Sequence, residues 1–543
     1  MFHDARLLPD SFELRADLCI VGAGAVGIAM ARELIGQPIR VVLLSSGDLR
    51  FRRRPQSLYE GENIGAAGKS LYRSRFRMFG GSTTRWGGLC RPLQKIDFER
   101  REWVPHSGWP FSREDLEPFY RRAQEVCNLG PYEYDVAYWT AHGERVLPVD
   151  TRHLSVDVLQ FAYPSDLGVA YGDELASAGN IDVHHHADVL EIEVDDNVRH
   201  VTGLRVASER KRGRVVAGTY VVACGGIENA RLLLASNAVV PAGLGNQHGL
   251  VGRYFQDHPY FSLGYYEPSE PRYDRTLHVI EDYERVGCEQ KALAAFALPE
   301  DLLRRERLNG AALYFLRRPD YKTQPEYFSP GGQSFIELVD MLRSGERPGR
   351  HLGRHVRNVV AGLGDVATSL GRQVRELFEP RPRLALRAVI EQTPSADSRV
   401  MLGERRDHYG MPRVQVDWRL NADDQRGLAR LREIVRHEFG RLGLGRLVEP
   451  EALGEAGWPA SMTGGMHHMG TTRMHADPRQ GVVDPDCRVH GLANLYVGGN
   501  SVFPTGGVVN PTLTIVALAL RLADHLVQVI RGDSHVIRSD GSG

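Results

Sequence analysis

The sequence predicts an α/β chain: one domain built on a sheet with strand-to-helix crossovers, and a second domain of different character. Three observations carry that prediction. A glycine-patterned strand–turn–helix–strand unit opens the chain, and a further strand–turn–helix unit lies at 219–237. Over about 263–450 the composition changes to scattered aromatics and irregular turns. With 543 residues the chain is too long for one compact core, so two or more domains are expected.

In the opening unit, DLCIVG (17–22) is a short apolar strand, AVGIAMARELIG has helical character, and RVVLLSS is a second strand. Gly22, Gly24 and Gly27 follow the first strand as GxGxxG. Gly22 permits a tight turn, Gly24 lets a pyrophosphate approach the backbone, and Gly27 lets the helix pack on the strand. The positive end of the helix then faces the phosphates. The second strand ends in Ser45 and Ser46, where a carboxylate would normally bind ribose hydroxyls, and Asp48 lies just beyond. Either a serine, a weaker partner than a carboxylate, or Asp48 takes that role.

Residues 73–91, RSRFRMFGGSTTRWGGLCR, place four glycines around Ser-Thr-Thr and a tryptophan. They predict a close-approach loop, neither helix nor strand, able to lie against a flat ring. VHHHADVLEIEV (183–194) and GLRVAS (203–208) predict a hairpin, in which His184 and His186 share a strand face. No carboxylate or cysteine stands at ligand spacing there, so metal is not expected. TYVVACGGIENARLLLASN (219–237) is a strand, a glycine turn and a helix, and RLALRAVIEQ and PRVQVDWRL predict sheet strands. The basic stretch 343–375 predicts amphipathic helix, either a solvated face or a docking face for an electron-acceptor partner.

A formal charge of −1 excludes a global field for nucleic acid or anionic membrane. Six dispersed cysteines without a CxxC pair suggest reduced thiols and a cytoplasmic protein. The N-terminus carries charges where a signal peptide would be apolar. TLTIVALALRLADHLVQVI is interrupted by Arg521, Asp524 and His525, which predicts a buried helix and no membrane span.

Several of these motifs, in this order, make the chain resemble the glucose–methanol–choline flavoprotein oxidoreductases over nearly its whole length. They are VGAGAVG, GGSTTRWGG (80–88), ACGGIENARLLLASN (223–237), VGRYFQDHP (251–259) and the block 467–528. Within that family the chain is similar to the bacterial, pyranose-oxidase-like branch, whose members often act on sugars and glycosides. The resemblance implies a Rossmann-like FAD-binding domain assembled from discontinuous segments, 1–100, 170–262 and 480–534. It also implies an α+β substrate domain on an antiparallel sheet, 101–169 and 263–479. Beyond the glycines and Ser45 and Ser46, it implies cofactor contacts at Gly81, Ser82, Arg85, Val189, Ala223, Asn500, Pro511 and Thr512. Some relatives carry histidine at the position of Arg85 and link it to FAD. Arginine cannot form that bond, so FAD is expected to be noncovalent. Arg85 would instead pair with a phosphate or an acidic side chain, or sit near the flavin.

The stretch MHHMGTTRMHADP (466–478) holds His467, His468 and His475. The resemblance matches His467, three residues before a glycine, and Asn510, before the last helix, to a pair on the substrate side of the flavin. Alcohol oxidation needs a base for the hydroxyl proton, and neutral imidazole suits that task. His467 is the expected base and His468 the neighbour that could exchange roles with it. Asn510 would donate a hydrogen bond to the substrate oxygen as charge develops, with hydride passing to flavin N5. Asn510 is also the expected helix N-cap, with Pro511 the first helical residue. No cysteine or glutamate completes a metal site around the three histidines. The expected activity is oxidation of a CH–OH group of a sugar, glycoside or related polyhydroxylated molecule, with oxygen or another acceptor. The alternatives are a non-redox flavoprotein of lyase or decarboxylase type, or a flavin subunit donating electrons to a protein partner. A homo-oligomer is compatible with the sequence.

Overall fold

A computed structural model of the chain describes residues 1–66, 68–149, 152–280, 290–317, 334–335, 338, 352–364, 367, 384–448, 453–454, 457–459 and 461–540. Two large sheets organise it.

Among the described residues the first sheet has eight strands. Phe2–Asp4, Ile181–His185, Val41–Leu44, Phe12–Val21 and Lys211–Val222 lie side by side in parallel, and Leu495–Val497 pairs in parallel with the last. Val201–Ser208 and Asp188–Val194 extend the sheet as an antiparallel meander. All four residues of Val41–Leu44 and the Leu18–Val21 end of its neighbour are buried. Such unbroken apolar runs are what a parallel sheet covered on both faces requires. Helix Ala25–Glu33 buries every residue from Ala25 to Ala31. It packs against helix Leu167–Ser177 and the final helix Thr512–Asp540.

That final helix buries Leu513, Val516, Ala517, Leu520 and Ala523 completely, at helical spacing, and also packs on helix Arg113–Val126. Its portion Thr512–Gly532 is long and apolar enough, by length and composition, to cross a membrane. However, 56% of its most apolar window is buried inside the protein.

Among the described residues the second sheet has nine strands in the order Gly445–Val448, Pro259–Pro268, Leu384–Ile390, Ala311–Leu316, Ala292–Ala297, Ser155–Phe161 and Leu89–Cys90, with two short strands beside this path. All pairings along the path are antiparallel. A small third sheet joins Arg399–Arg406, Pro412–Asp417 and Glu62–Asn63.

Two local expectations are corrected. Residues 183–194 are not one strand. Ile181–His185 belongs to the parallel layer, and His186 turns with φ 57° before Asp188–Val194 begins the hairpin with Val201–Ser208. His186 therefore shares no strand face with His184. The chain must turn there because the Ala187 amide bonds to the Ser45 carbonyl at 3.0 Å, closing the strand end. The glycine-rich stretch 73–91 contains a 3-10 turn at Gly81–Thr84, and its end, Leu89–Cys90, pairs with Ser155–Phe161. Of the basic stretch, helix Leu352–Ala361 and a few neighbouring residues are described. The rest of the docking face proposed for it lies outside the described residues.

Candidate active site

The glycine turn builds a cradle at the C-terminal end of the parallel strands. Gly22 has φ 111°, and a Cβ there would sit 2.5 Å from the Ala223 carbonyl oxygen. A Cβ on Gly27 would sit 1.9 Å from the Gly22 oxygen, so helix and strand touch only because both residues are glycine. Gly24 differs. Its φ of −91° suits any residue, and a Cβ would meet only the Gly81 Cα, at 4.0 Å. Space is left open beside it. Gly24 caps helix Ala25–Glu33 without a side-chain cap, which leaves first-turn amides for a ligand. Gly80 donates to the Ala23 carbonyl at 2.9 Å and holds the 80–84 loop over the turn. An open cradle of backbone donors at a helix N-terminus fits the pyrophosphate of FAD.

The end of the second strand is polar and closely tied. Ser45 is buried, with its hydroxyl donating to the Gly47 carbonyl at 3.4 Å. The Ser46 hydroxyl donates to Asp188 and accepts from Arg77 at 2.7 Å. Asp48 accepts from Arg52 at 3.0 Å. Burial raises the Asp188 carboxyl even though Arg77 stands beside it. Arg77 also reaches Glu228 at 2.9 Å, and Glu228 binds Arg75 at 2.7 Å and Arg231 at 3.2 Å. Burial alone would raise the Glu228 carboxyl, but Arg231, Arg75 and Arg77 outweigh it and hold it at about 2. A fixed carboxylate thus ties three arginines together, one of which reaches Ser46.

The histidine doublet lies in a segment that laces two others together. Met469 exchanges backbone bonds with Gln256 at 3.0 and 2.8 Å. The amides of Gly470, Thr472 and Met474 bond to the carbonyls of Asn500, Ser501 and Val502 at 3.1, 2.9 and 2.8 Å. Gly464 stands opposite Pro259, so the chain reaches the doublet directly beside His258. Asp257 gathers the turn. One carboxylate oxygen accepts the amides of His467 and His258, each at 2.8 Å, and the other accepts the Met466 amide at 3.2 Å. Met466 itself has φ 66°. Burial pushes the Asp257 carboxyl up to about 6, against the lowering effect of those amides.

His467 is half-buried, and its Nδ1 lies 2.8 Å from Nδ1 of His258. The rings meet edge to face, 4.9 Å between centres. Burial, then the neighbouring His258 and His468, keeps His467 well below the usual imidazole range. His468 points elsewhere. It is 8% exposed, stacks on Phe255 at 5.8 Å, and is held by burial at about 3. His475 accepts the Asp477 amide at 2.9 Å through Nδ1 and serves its own turn. Among the described residues no group of three or more His, Cys, Asp or Glu could hold a metal ion.

The loop carrying Asn510 is fastened to the same place. Gln256 donates to the Pro504 carbonyl at 3.2 Å, and His258 Nε2 lies 2.9 Å from the Gly507 carbonyl. Asn510 is half-buried and makes no hydrogen bond to a described residue. The helix begins at Thr512, and the Pro511 carbonyl accepts the Ile515 amide at 2.9 Å. Pro511, not Asn510, is therefore the N-cap. The first helical bond closes one residue later than the sequence suggests, which leaves Asn510 outside the helix.

Of the other expected contacts, Ala223 abuts Gly22 and donates to the Val21 carbonyl at 2.8 Å. Asn500 opens a 3-10 turn after strand Leu495–Val497, and Val189 is half-buried at the start of its strand. Gly81 faces Gly24, and Ser82 and Arg85 are exposed. The Arg85 guanidinium lies 5.8 Å from the centre of the Phe76 ring, and among the described residues no acidic side chain pairs with it. Sequence reasoning assigned no role to His258, Asp257, Asp188 or the Arg75–Arg77–Glu228 cluster. Only the QDH of VGRYFQDHP could have flagged the first two.

A parallel sheet with this glycine cradle, and a histidine doublet beside the end strand pair of a second sheet, fit an FAD-dependent oxidoreductase. Residues 17–275 match the family model described as FAD dependent oxidoreductase, and residues 394–519 the one described as GMC oxidoreductase. The chain thus carries the C-terminal domain of the GMC oxidoreductases together with an FAD oxidoreductase domain, and it is an FAD-dependent alcohol oxidoreductase. It is 25% identical to 6'''-hydroxyparomomycin C oxidase of Streptomyces lividus, over 96% of this chain and 94% of that protein. It is also 25% identical to paromamine 6'-oxidase of Streptomyces fradiae, over 93% and 90%. The fold matches a formate oxidase of Aspergillus oryzae with a TM-score of 0.56 and 16% identity, covering 97% of this chain and 100% of that one.

Proposed function

We propose that this enzyme oxidises a CH–OH carbon of a sugar, glycoside or related polyhydroxylated molecule, with His467 as base and Asn510 as hydrogen-bond donor to the substrate oxygen. The observation that carries the reading is that His467 and the loop bearing Asn510 are both fastened to His258. His467 contacts it directly, and the Asn510 loop is tied to it through Gly507. Burial keeps the His467 imidazole neutral, as a base must be before it acts. Asn510 has a carboxamide free of hydrogen bonds to described residues, so it can serve a developing alkoxide. The Gly22–Gly24–Gly27 cradle and Ala223 would hold FAD, with Ser46 and Asp188 at the ribose end of the strand. When bound, FAD supplies the two-electron acceptor for the carbon-bound hydrogen.

The sugar assignment draws support from two relatives named for paromomycin-type and paromamine substrates. FAD would be noncovalent, because Arg85 stands where a histidine link would form. Strands of the first sheet come from 2–44, 181–222 and 495–497, which supports a flavin domain assembled from separate segments. Five free cysteines among the described residues fit a reducing, cytoplasmic setting. The test is anaerobic mixing of the holoenzyme with a panel of sugars, glycosides and simple alcohols. Bleaching of the visible flavin band by a polyhydroxylated member supports the reading. Turnover without bleaching would instead indicate lyase chemistry.

A further inference from the structure

We infer that His258 is a positioning residue that fixes the ring tautomer of His467, leaving the lone pair of His467 on Nε2. The inference deepens the proposed function, because it rests on His467 as the base.

The geometry leaves one consistent proton arrangement. The Gly507 carbonyl, 2.9 Å from His258 Nε2, can only accept, so His258 Nε2 carries a hydrogen. A neutral imidazole has one N–H, and His258 Nδ1 is therefore bare. His467 Nδ1, 2.8 Å away, must then donate to it. With its proton on Nδ1, His467 keeps Nε2 unprotonated. Burial supports the premise that His258 is neutral, since it holds this imidazole down at about 4. The opposite tautomer of His467 would set two lone pairs against each other at 2.8 Å, or force His258 to give up Gly507.

The backbone passes close to both rings at two glycines. A Cβ on Gly506 would lie 3.4 Å from His258 Nε2, and one on Gly465 3.2 Å from His467 Nδ1. The charged and titratable groups around the pair are few. His468 and Lys69 act on His467, and Glu391 acts on His258 from the adjoining strand. Glu391 is itself paired with Arg101. The Asp257 carboxylate accepts backbone amides, and His468 Nε2 lies 3.9 Å from it. When the substrate O–H bond breaks and its proton moves to His467 Nε2, the Nδ1–H bond to His258 becomes charge-assisted and strengthens. That bond thus offsets part of the burial that disfavours a protonated His467.

The experiment is nitrogen-15 NMR of histidine-labelled holoenzyme, with the His467 resonances assigned by their loss in His467→Gln. The expected result is a protonated Nδ1 and a bare Nε2 on His467. A protonated Nε2 overturns the inference whatever the activity. Stopped-flow reduction of bound flavin supplies the kinetic arm. His258→Phe keeps a ring but no acceptor, and should slow reduction at saturating substrate by about tenfold or more with KM little changed. His258→Asn can place an oxygen where Nδ1 stood and should recover part of the rate. A wild-type rate in His258→Phe would show that the contact does not serve the base. If His467→Ala also reduces flavin at the wild-type rate, the base assignment itself fails, and the NMR result still decides the tautomer separately.

Discussion

Asp257 accepts the backbone amide of His467 at 2.8 Å, across 210 residues of sequence, and with the same oxygen accepts the amide of His258. One buried carboxylate therefore sets the distance between the two rings. Asp257→Ala removes the acceptor for three amides and should cost roughly 1–3 kcal/mol for each that stays unsatisfied. Flavin reduction should slow by about tenfold or more while FAD remains bound. Rapid-mixing kinetics beside a thermal melt would check both. An unchanged rate in a destabilised variant would limit Asp257 to folding.

Two glycines three residues apart should fail in different ways. Gly27→Val drives a side chain into the Gly22 carbonyl and should abolish folding, because that contact is backbone. Gly24→Val meets open space and should fold normally but purify without FAD. Circular dichroism and flavin absorbance of the two purified variants make the comparison. Yellow, fully loaded Gly24→Val would remove the pyrophosphate from that cradle.

Acid precipitation of the wild-type protein should release all of the flavin into the supernatant, since Arg85 offers no nucleophilic ring nitrogen. Flavin retained in the washed pellet would contradict noncovalent binding and point to a different attachment residue.

Buried neutral histidines should set the acid limit of stability. Burial holds His184, His185 and His258 at about 4, and His278 and His468 at about 3, against an ordinary 6.5. Below about pH 6.5 the unfolded chain takes up protons that the folded chain refuses. Stability is therefore lost as pH falls from there towards 4. Asp257 and Asp424, raised by burial to about 6, bind protons in the folded state and offset part of the loss. Melting temperatures should drop between pH 7.5 and about 5. His278→Leu, which replaces a ring stacked on Phe296 at 4.1 Å, should flatten that slope. Parallel pH profiles for the two proteins would refute the histidine origin.

Gly22, Gly24 and Gly27 are legible in the sequence because their spacing is that of a local turn, in which the backbone demands glycine at 22 and 27 and Gly24 leaves open space between them. The doublet and Asn510 are legible only through resemblance. His258 is not legible at all, because its role arises when strand Pro259–Pro268 pairs with Thr463–Gly464 and brings two distant rings into contact. The histidine run at 184–186 misleads for a related reason. Its apparent continuity hides a strand end, which depends on pairing with Val41–Leu44 and not on the run itself. The cap at Pro511 shifts by one residue because the carbonyl that starts the helical ladder is not visible in residue preference.

The central claim is that the imidazole of His467 removes the substrate proton. The most direct measurement is the anaerobic rate of flavin reduction in FAD-loaded His467→Ala, using the best substrate from the panel. A fall of about a hundredfold or more with FAD still bound is the predicted result. Reduction at the wild-type rate would contradict the assignment.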